Sequence, residues 1–256
     1  MTSKQVMLMF ALVLLGGCAT KEPRGSDALV SPYQQGRVWA VAPLRNESGS
    51  LQADGVLMAD RLQRQLENAS NIDVLPVNRV LRAMELLEMP YVETPADAAR
   101  LMQTLGCDGL IIGTITSYDP YDPPRLGLSI ELFDGGRSQS LDALDVQKLT
   151  RAATGDQAHP YASGSSGPPM SRHGGVASGV SAYFDSASGD VRKKLQVYGS
   201  NRGGPDWHPE SWHRYRISMD LYSEFVTYVM SWRLLHAEKQ RLSQQIMTSP
   251  PQASSR

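Results

Sequence analysis

The feature that most constrains the fold is an alternation of short apolar runs with amphipathic segments between residues 37 and 133. The runs RVWAVAPL at 37–44 and GLIIGTITSY at 109–118 are apolar on both sides, which is typical of strands covered on both faces. Between them, apolar residues recur every three or four positions, as they do on one face of a helix. This order predicts an α/β fold, in which helices pack on a mixed β-sheet.

Three helices are predicted within this region. The first spans residues 53–69, and the second runs from an N-cap at Asn78 to Leu87. The third has Thr94 as its N-cap, followed by proline at the first helical position. It ends at Gly106, where a left-handed residue belongs.

The second half of the chain is patterned less evenly. Alternating apolar residues at 126–132 predict a half-buried strand, and a weaker strand is expected at 141–149. Glycine, serine and proline dominate 155–179, which predicts a mobile loop. Residues 180–198 are interpreted as a helix, and 215–244 as one long helix. We expect the C-terminal helices, within 180–247, to pack on the same domain as the preceding strands, assigned to 37–150.

The long helix carries an apolar seam with steps of four and three residues. Its members are Leu221, Phe225, Tyr228, Trp232 and Leu235. The favoured interpretation is that the seam covers the chain's own sheet. The second interpretation is a partner-binding surface formed by Leu221, Phe225, Tyr228 and Trp232.

The N-terminus carries an apolar run of ten residues, Val6 to Leu15, followed by Leu-Gly-Gly-Cys at 15–18. Ten helical residues rise about 15 Å, half the thickness of a bilayer core, so the run fits a signal peptide better than a membrane span. The four residues resemble the lipobox of bacterial lipoproteins. That resemblance implies cleavage after Gly17, which removes residues 1–17, and lipid attachment to Cys18. The alternative is an ordinary secretory signal with an incidental cysteine.

Residues 18–36 are polar and contain proline and glycine, so they are interpreted as a flexible tether between the lipid and the folded domain. The resemblance implies a protein held to the membrane by lipid. Ala19 after the cysteine, rather than aspartate, implies the outer membrane, with the domain facing the periplasm.

Composition and the absence of known motifs argue against several classes of function. The net charge of −1 argues against nucleic acid as a partner. Cys107 is the one cysteine besides Cys18 and is interpreted as a small packing residue, so no internal disulfide is expected. No phosphate loop, nucleophile elbow or metal-ligand motif is present. We therefore expect no enzyme activity, no metal, no cofactor and no small-molecule substrate.

Two groups of polar residues leave alternatives open. Asp119, Asp122 and Asp134 flank a predicted hairpin, where turn chemistry explains them, but a hydrolase of envelope polymers could use such carboxylates. Four of the five histidines lie in flexible or proline-containing segments and are interpreted as solvated rather than metal-bound. These are His159, His173, His208 and His213, the last two beside Trp207 and Trp212.

The order of elements resembles a superfamily of bacterial envelope proteins. It includes the curli secretion lipoprotein, the outer-membrane activators of penicillin-binding proteins and the N-terminal domain of the Tol system's periplasmic protein. The matching pieces lie within 37–133: a first strand ending in a turn with Asn46 and Gly49, and the segment Leu105-Gly106-Cys107-Asp108 leading into a strand with Gly113.

This resemblance implies a non-enzymatic binding or assembly role in the cell envelope, with another envelope protein or a second copy of the chain as partner. A component of a secretion channel is a further alternative. The sequence departs from the curli protein because it has no clear pair of long alternating hairpins suited to crossing a membrane.

Overall fold

The computed structural model describes residues 28–135, 175–202 and 212–248. The elements in chain order are β1 (Arg37–Val41), β2 (Arg45–Asn46), α1 (Gly55–Leu66), β3 (Ile72–Val74), α2 (Val77–Leu86), α3 (Pro95–Leu105), β4 (Gly109–Asp119), β5 (Arg125–Asp134), β6 (Val176–Asp185), α4 (Gly189–Ser200), α5 (His213–Ile217) and α6 (Met219–Thr248). Several sequence predictions lie outside the described residues: the signal peptide at 1–17 with the lipid site Cys18, the first part of the tether, the strand at 141–149, the loop at 155–174 with both of its histidines, and the segment 207–211.

The six strands within the described residues form one mixed sheet, and the sequence predicts a mixed sheet. Their order is β3-β1-β4-β5-β6, and the short β2 pairs with β4. The pairs of β1 with β3 and β4 are parallel, whereas β4, β5 and β6 are antiparallel neighbours. This mixed α/β architecture with a long C-terminal helix confirms the predicted fold class.

The helix boundaries show where local sequence signals are reliable. Thr94 and Asp97 form a reciprocal capping box at the start of α3, and Gly106 ends it with a left-handed φ of 67°. The predicted N-cap at Asn78 is wrong, because α2 begins at Val77 after Pro76 and has no side-chain cap. The fixed backbone of proline starts this helix without the side-chain bond that Asn78 was expected to supply.

The sheet is covered on both faces. Helices α2 and α3 pack on one face with Ala40 of β1, Leu110 of β4, Phe133 of β5 and Ala42, which follows β1. Helices α1 and α6 pack on the other face with Trp39, Val41, Ile111, Ile115, Leu126, Leu128, Ile130 and Leu132. Adjacent residues of β1 therefore belong to different cores, which explains why its sequence is apolar on both sides.

The helix predicted at 180–198 is wrong in its first nine residues. Residues 176–185 form β6, three connecting residues follow, and α4 begins at Gly189. The period-two signal was present, since Val180, Ala182 and Phe184 share one face and pair with apolar residues of β5. The last residues of the predicted loop, 176–179, belong to this strand as well.

Helix α6 extends over 30 residues and contacts β6, β5 and α1. The predicted single helix from 215 is interrupted at Ser218, which separates α5 from α6. Within the seam, Phe225, Tyr228 and Leu235 are buried, whereas Leu221 and Trp232 are partly buried against the same core. The helix thus covers the chain's own sheet, in agreement with the favoured interpretation.

The molecule has two distinguishable ends. Strands β1 and β4 are parallel, and Gly109 at the start of β4 pairs with Asp134 at the end of β5. We call this the lower end. Strand β6 begins at this end, and the second half of α6 also lies there, as the hydrogen bond between Ser178 and Glu238 shows. Among the residues that the structure describes, no helix combines the length and apolarity needed to cross a membrane.

Candidate functional site

Two adjacent features near the lower half of α6 are candidate sites, because each groups polar or aromatic side chains outside the apolar core. The first is a buried polar group around Glu238, which we call the Glu238 cluster. Its members are Tyr33, Arg37, Asp134, Ser178, Glu238 and Arg241. The second is an open groove beside β6, which we call the α6–β6 groove, lined by Val180, Ser181, Trp232, Arg233, His236, Ala237 and Gln240.

The carboxylate of Glu238 is fully buried and accepts three kinds of hydrogen bond. The Tyr33 hydroxyl donates to Oε1 at 2.7 Å, and the Ser178 hydroxyl donates to Oε2. The guanidinium of Arg241 donates to both oxygens, with Nε at 2.7 Å from Oε2. Arg241 also lies 3.3 Å from the carboxylate of Asp134. Every lone pair of the buried acid is therefore directed at a donor or a cation, which is the condition for burying a charge.

Electrostatics keep this acid ionised. Burial alone would raise the pKa of Glu238, but the hydrogen bonds from Arg241, Ser178 and Tyr33, with the charge of Arg241, outweigh burial and lower the pKa. Burial and the neighbouring carboxylate raise the pKa of the Tyr33 phenol, so this group stays protonated as the donor. A buried acid held charged and inaccessible is suited to fixing structure, not to exchanging protons with a substrate.

The cluster attaches the segment that precedes the first strand. Leu29 is buried in the main core, and the Tyr33 ring meets Trp39 edge-on, with centroids 5.9 Å apart. The guanidinium of Arg37 lies over the Tyr33 ring at 4.9 Å and reaches Asp134 at 3.7 Å. Residues 29–33 are therefore held at the lower end, although the sequence analysis placed them in a flexible tether.

The α6–β6 groove has a volume of about 330 Å³ and a mixed lining. Trp232 and His236, one turn apart on α6, stack with ring centroids 5.1 Å apart and an interplanar angle of 12°. Gln240 lies one turn further on, 3.2 Å from the His236 ring. The other wall is the outer side of β6 at Val180 and Ser181. The groove thus follows the edge of the sheet rather than entering the core.

Asp134 is not brought near Asp119 and Asp122, the other two carboxylates considered for catalysis. Asp134 lies at the lower end, and Asp119 and Asp122 lie at the opposite end of the β4–β5 hairpin. Ten residues of β5 at roughly 3.3 Å each separate these ends by about 30 Å. Hydrolase carboxylate pairs lie roughly 5–10 Å apart. Each of the three acids also pairs with an arginine of the chain itself: Asp119 with Arg125, Asp122 with Arg216, and Asp134 with Arg241.

The remaining site predictions are distributed as follows. Phe225 and Tyr228 are buried by the chain itself, so of the predicted partner surface only Leu221 and Trp232 retain some exposure. Burial raises the pKa of the Cys107 thiol to about 11, in keeping with a packing role. Trp212 stacks on His213 with ring centroids 4.0 Å apart. No group of three or more potential ligands is arranged to hold a metal within the described residues.

Sequence reasoning missed the Glu238 cluster. Glu238 and Arg241 are spaced three residues apart, as in any exposed helical ion pair, and this was the only local signal. Tyr33 lies 205 residues away from its partner in the chain. Contacts of that separation follow from the arrangement of β6 and α6, which no local pattern supplies.

No family model matches the sequence, and none of the curated proteins matches it. Several solved structures are similar at low identity. The LpoB C-terminal domain from Salmonella enterica is 14% identical, with a TM-score of 0.33, over 40% of this chain and 74% of that chain. Lipoprotein GNA1162 from Neisseria meningitidis is 16% identical, with a TM-score of 0.34, over 62% of this chain and 90% of that one.

The hypothetical protein CT253 from Chlamydia trachomatis is 14% identical, with a TM-score of 0.35, and the match covers 84% of this chain and 99% of that one. At such identities and TM-scores, these similarities assign neither a family nor a function to the chain.

Proposed function

We propose that the chain is a bacterial envelope lipoprotein, anchored by lipid on Cys18, that acts as a non-enzymatic binding or assembly factor. The observation that carries the proposal is Leu-Gly-Gly-Cys at 15–18 directly after ten apolar residues. Small residues before the cysteine leave room for a peptidase, and the thiol is the nucleophile that accepts diacylglycerol. Two or three acyl chains hold a protein on a membrane far more firmly than one.

The position of the fold relative to the anchor supports this proposal. Residues 29–33 are fixed at the lower end of the sheet, so about ten residues separate Cys18 from the folded domain. As the tether proposed from the sequence, a segment of that length would span roughly 15–20 Å on average. The domain would therefore sit close to the membrane with its lower end towards the lipid, in the arrangement proposed for an outer-membrane protein facing the periplasm.

The binding role is supported by what the described surface offers. The three carboxylates considered for catalysis each pair with an arginine of the chain, and Asp134 lies at the opposite end from Asp119 and Asp122. The groove beside β6 instead combines an aromatic stack, a cation and a sheet edge. Groups of this kind recognise protein segments by shape, charge and backbone pairing. We therefore propose another envelope protein as partner, ahead of a second copy of the chain.

The anchor is tested by labelling cells with radioactive palmitate and separating membrane from soluble fractions. The chain should be labelled and membrane-bound, and Cys18→Ala should abolish both properties. Cys107→Ala is the matched control, because it removes the other cysteine and should leave labelling and fractionation unchanged. Equal labelling of Cys18→Ala and the natural chain would refute the lipid site.

The binding role is tested by crosslinking in cells followed by purification of the chain. The expected result is an envelope protein recovered in stoichiometric amount with the natural chain and lost when Cys18 is replaced. Turnover of peptidoglycan or glycan fragments that disappears in Asp119→Asn or Asp122→Asn would instead establish the hydrolase alternative.

A further inference from the structure

Strand β6 forms one edge of the sheet. In the described part of the chain it is hydrogen-bonded to β5 alone and lies last in the strand order. It is ten residues long, whereas β3 at the opposite edge has three. An edge strand presents unpaired backbone donors and acceptors, which makes a long edge a template for another extended segment.

The α6–β6 groove lies directly against this edge. A segment that paired with β6 would place alternate side chains towards α6, because side chains of a strand point to opposite faces in turn. There they would meet the Trp232–His236 stack and Ala237. A volume of about 330 Å³ accommodates a few side chains but not a folded domain.

The charge of the groove wall selects among possible segments. On α6 between residues 232 and 241, Arg241 and the buried Glu238 pair with each other, and Arg233 and Lys239 add two further positive charges. Strand β6 carries no basic residue, and its only acid, Asp185, pairs with Arg125 at the far end.

Basic residues also outnumber acidic residues in the wider part of the described chain that contains the groove. Residues 175–202 and 212–248 contain nine Lys and Arg against five Asp and Glu, whereas residues 28–135 contain eight against fourteen. The groove therefore lies in the basic part of the molecule. Complementary charge raises association rates and disfavours basic competitors.

We propose that the α6–β6 groove binds an extended acidic segment of a partner protein, which adds to β6 as a further strand and places side chains against Trp232 and Arg233. This inference rests on the binding role proposed above and specifies the chemistry of the partner. Backbone pairing supplies affinity, and the aromatic stack and the basic wall supply selectivity. In cells the anchor would bring the chain to its partner, but the contact itself uses no lipid, so binding by the purified chain is tested separately from anchoring.

The test uses the full chain, purified in a nonionic detergent, and two fluorescent peptides of eight residues. The probe alternates glutamate with valine, and the control peptide alternates lysine with valine. Fluorescence anisotropy should show the glutamate peptide binding at least about tenfold more tightly, which corresponds to about 1.4 kcal/mol. Hydrogen exchange should show slower exchange of the amides of β6 when this peptide is added, and no change in β3.

Charge variants locate the contact. Arg233→Glu and Gln240→Glu should each weaken binding of the glutamate peptide about tenfold, because both place a negative charge in the groove. Arg192→Glu makes the same charge change on the exposed side of α4 and should leave affinity within about twofold. Thermal melts of each variant identify any loss of folding. Gln240 is exposed, so Gln240→Glu still tests the groove if Arg233→Glu unfolds the protein.

Three results would overturn the proposal: equal binding of both peptides, protection of amides outside β6, or unchanged affinity in both groove variants. Concentration-dependent protection of β6 without any peptide would show that a second copy of the chain occupies the edge, and that too would contradict an acidic partner segment. A negative result here leaves palmitate labelling of Cys18 unaffected, so failure of this proposal is distinguishable from failure of the lipid anchor.

Discussion

Truncating Phe225 to alanine tests whether α6 is part of the domain core. The ring is 1% exposed and meets Phe184 edge-on at 6.1 Å and Tyr198 at 5.3 Å between centroids. A buried phenylalanine removes about 150–250 Å² from water, and its truncation also leaves a cavity. The expected loss is about 3–5 kcal/mol of the free energy of unfolding.

That loss is large enough for a thermal melt to show clearly. For a folded region of this size, 1 kcal/mol lowers the melting temperature by about 2–4 °C, so Phe225→Ala should lower it by roughly 6–20 °C. Tyr121→Ala is the matched control, since Tyr121 is an aromatic residue that is 72% exposed in the turn between β4 and β5. Its melting temperature should change by no more than a few degrees.

An unchanged melting temperature for Phe225→Ala would refute the packing of α6 on the sheet. If the same variant also lost binding to a partner, the seam would be a partner surface and the alternative interpretation of the sequence would hold. The structure predicts a different result: Phe225→Ala loses much of its stability, and the molecules that remain folded still bind the partner.

Three further changes probe other parts of the account. Glu238→Gln should cost about 1–3 kcal/mol at neutral pH by weakening charged hydrogen bonds. The pKa of Glu238 in the folded protein lies below its ordinary value of 4.5, so its contribution to stability is present above pH 4.5 and is lost as the pH falls through the folded pKa. The free energies of unfolding of the two proteins, measured with denaturant, should therefore converge in acid. A difference that stays constant with pH would contradict this. Gly55→Ala should destabilise α1, because an added Cβ would lie 1.8 Å from the carbonyl oxygen of Leu44. Gly189→Ala is the control, because a Cβ at that position meets no atom within 4 Å and should be tolerated. Thermal melts followed by circular dichroism measure both changes. Cys107 is partly buried and its pKa is raised to about 11, so it should react with a thiol reagent at pH 8 more slowly than in the unfolded chain; equal rates would refute this partial burial.

Local chemistry predicted some elements well and others not at all. Helix α3 was predictable because Thr94, Pro95 and Gly106 each satisfy a requirement of a helix end within a few residues. Strand β6 was mistaken for the start of a helix because its small residues, such as Ser181, weaken the alternation that Val180, Ala182 and Phe184 carry. Only pairing with β5 makes that alternation decisive.

The candidate site depended even more on tertiary structure. Trp232 was identified from helical spacing, but its partial exposure follows from the position of β6, which the sequence did not reveal. Glu238 resembles a surface residue in the sequence and is buried because Tyr33, Ser178 and Arg241 converge on it. Residues brought together from three distant segments leave no periodic pattern for local reasoning to detect.

The most direct test of the central claim is the mass of the mature N-terminus in the membrane fraction. The account predicts that the first residue is Cys18, carrying diacylglycerol on its sulfur, and that residues 1–17 are absent. Recovery of the chain in the soluble fraction, cleaved at the same bond with an unmodified Cys18, would contradict it and leave an ordinary secreted protein in its place.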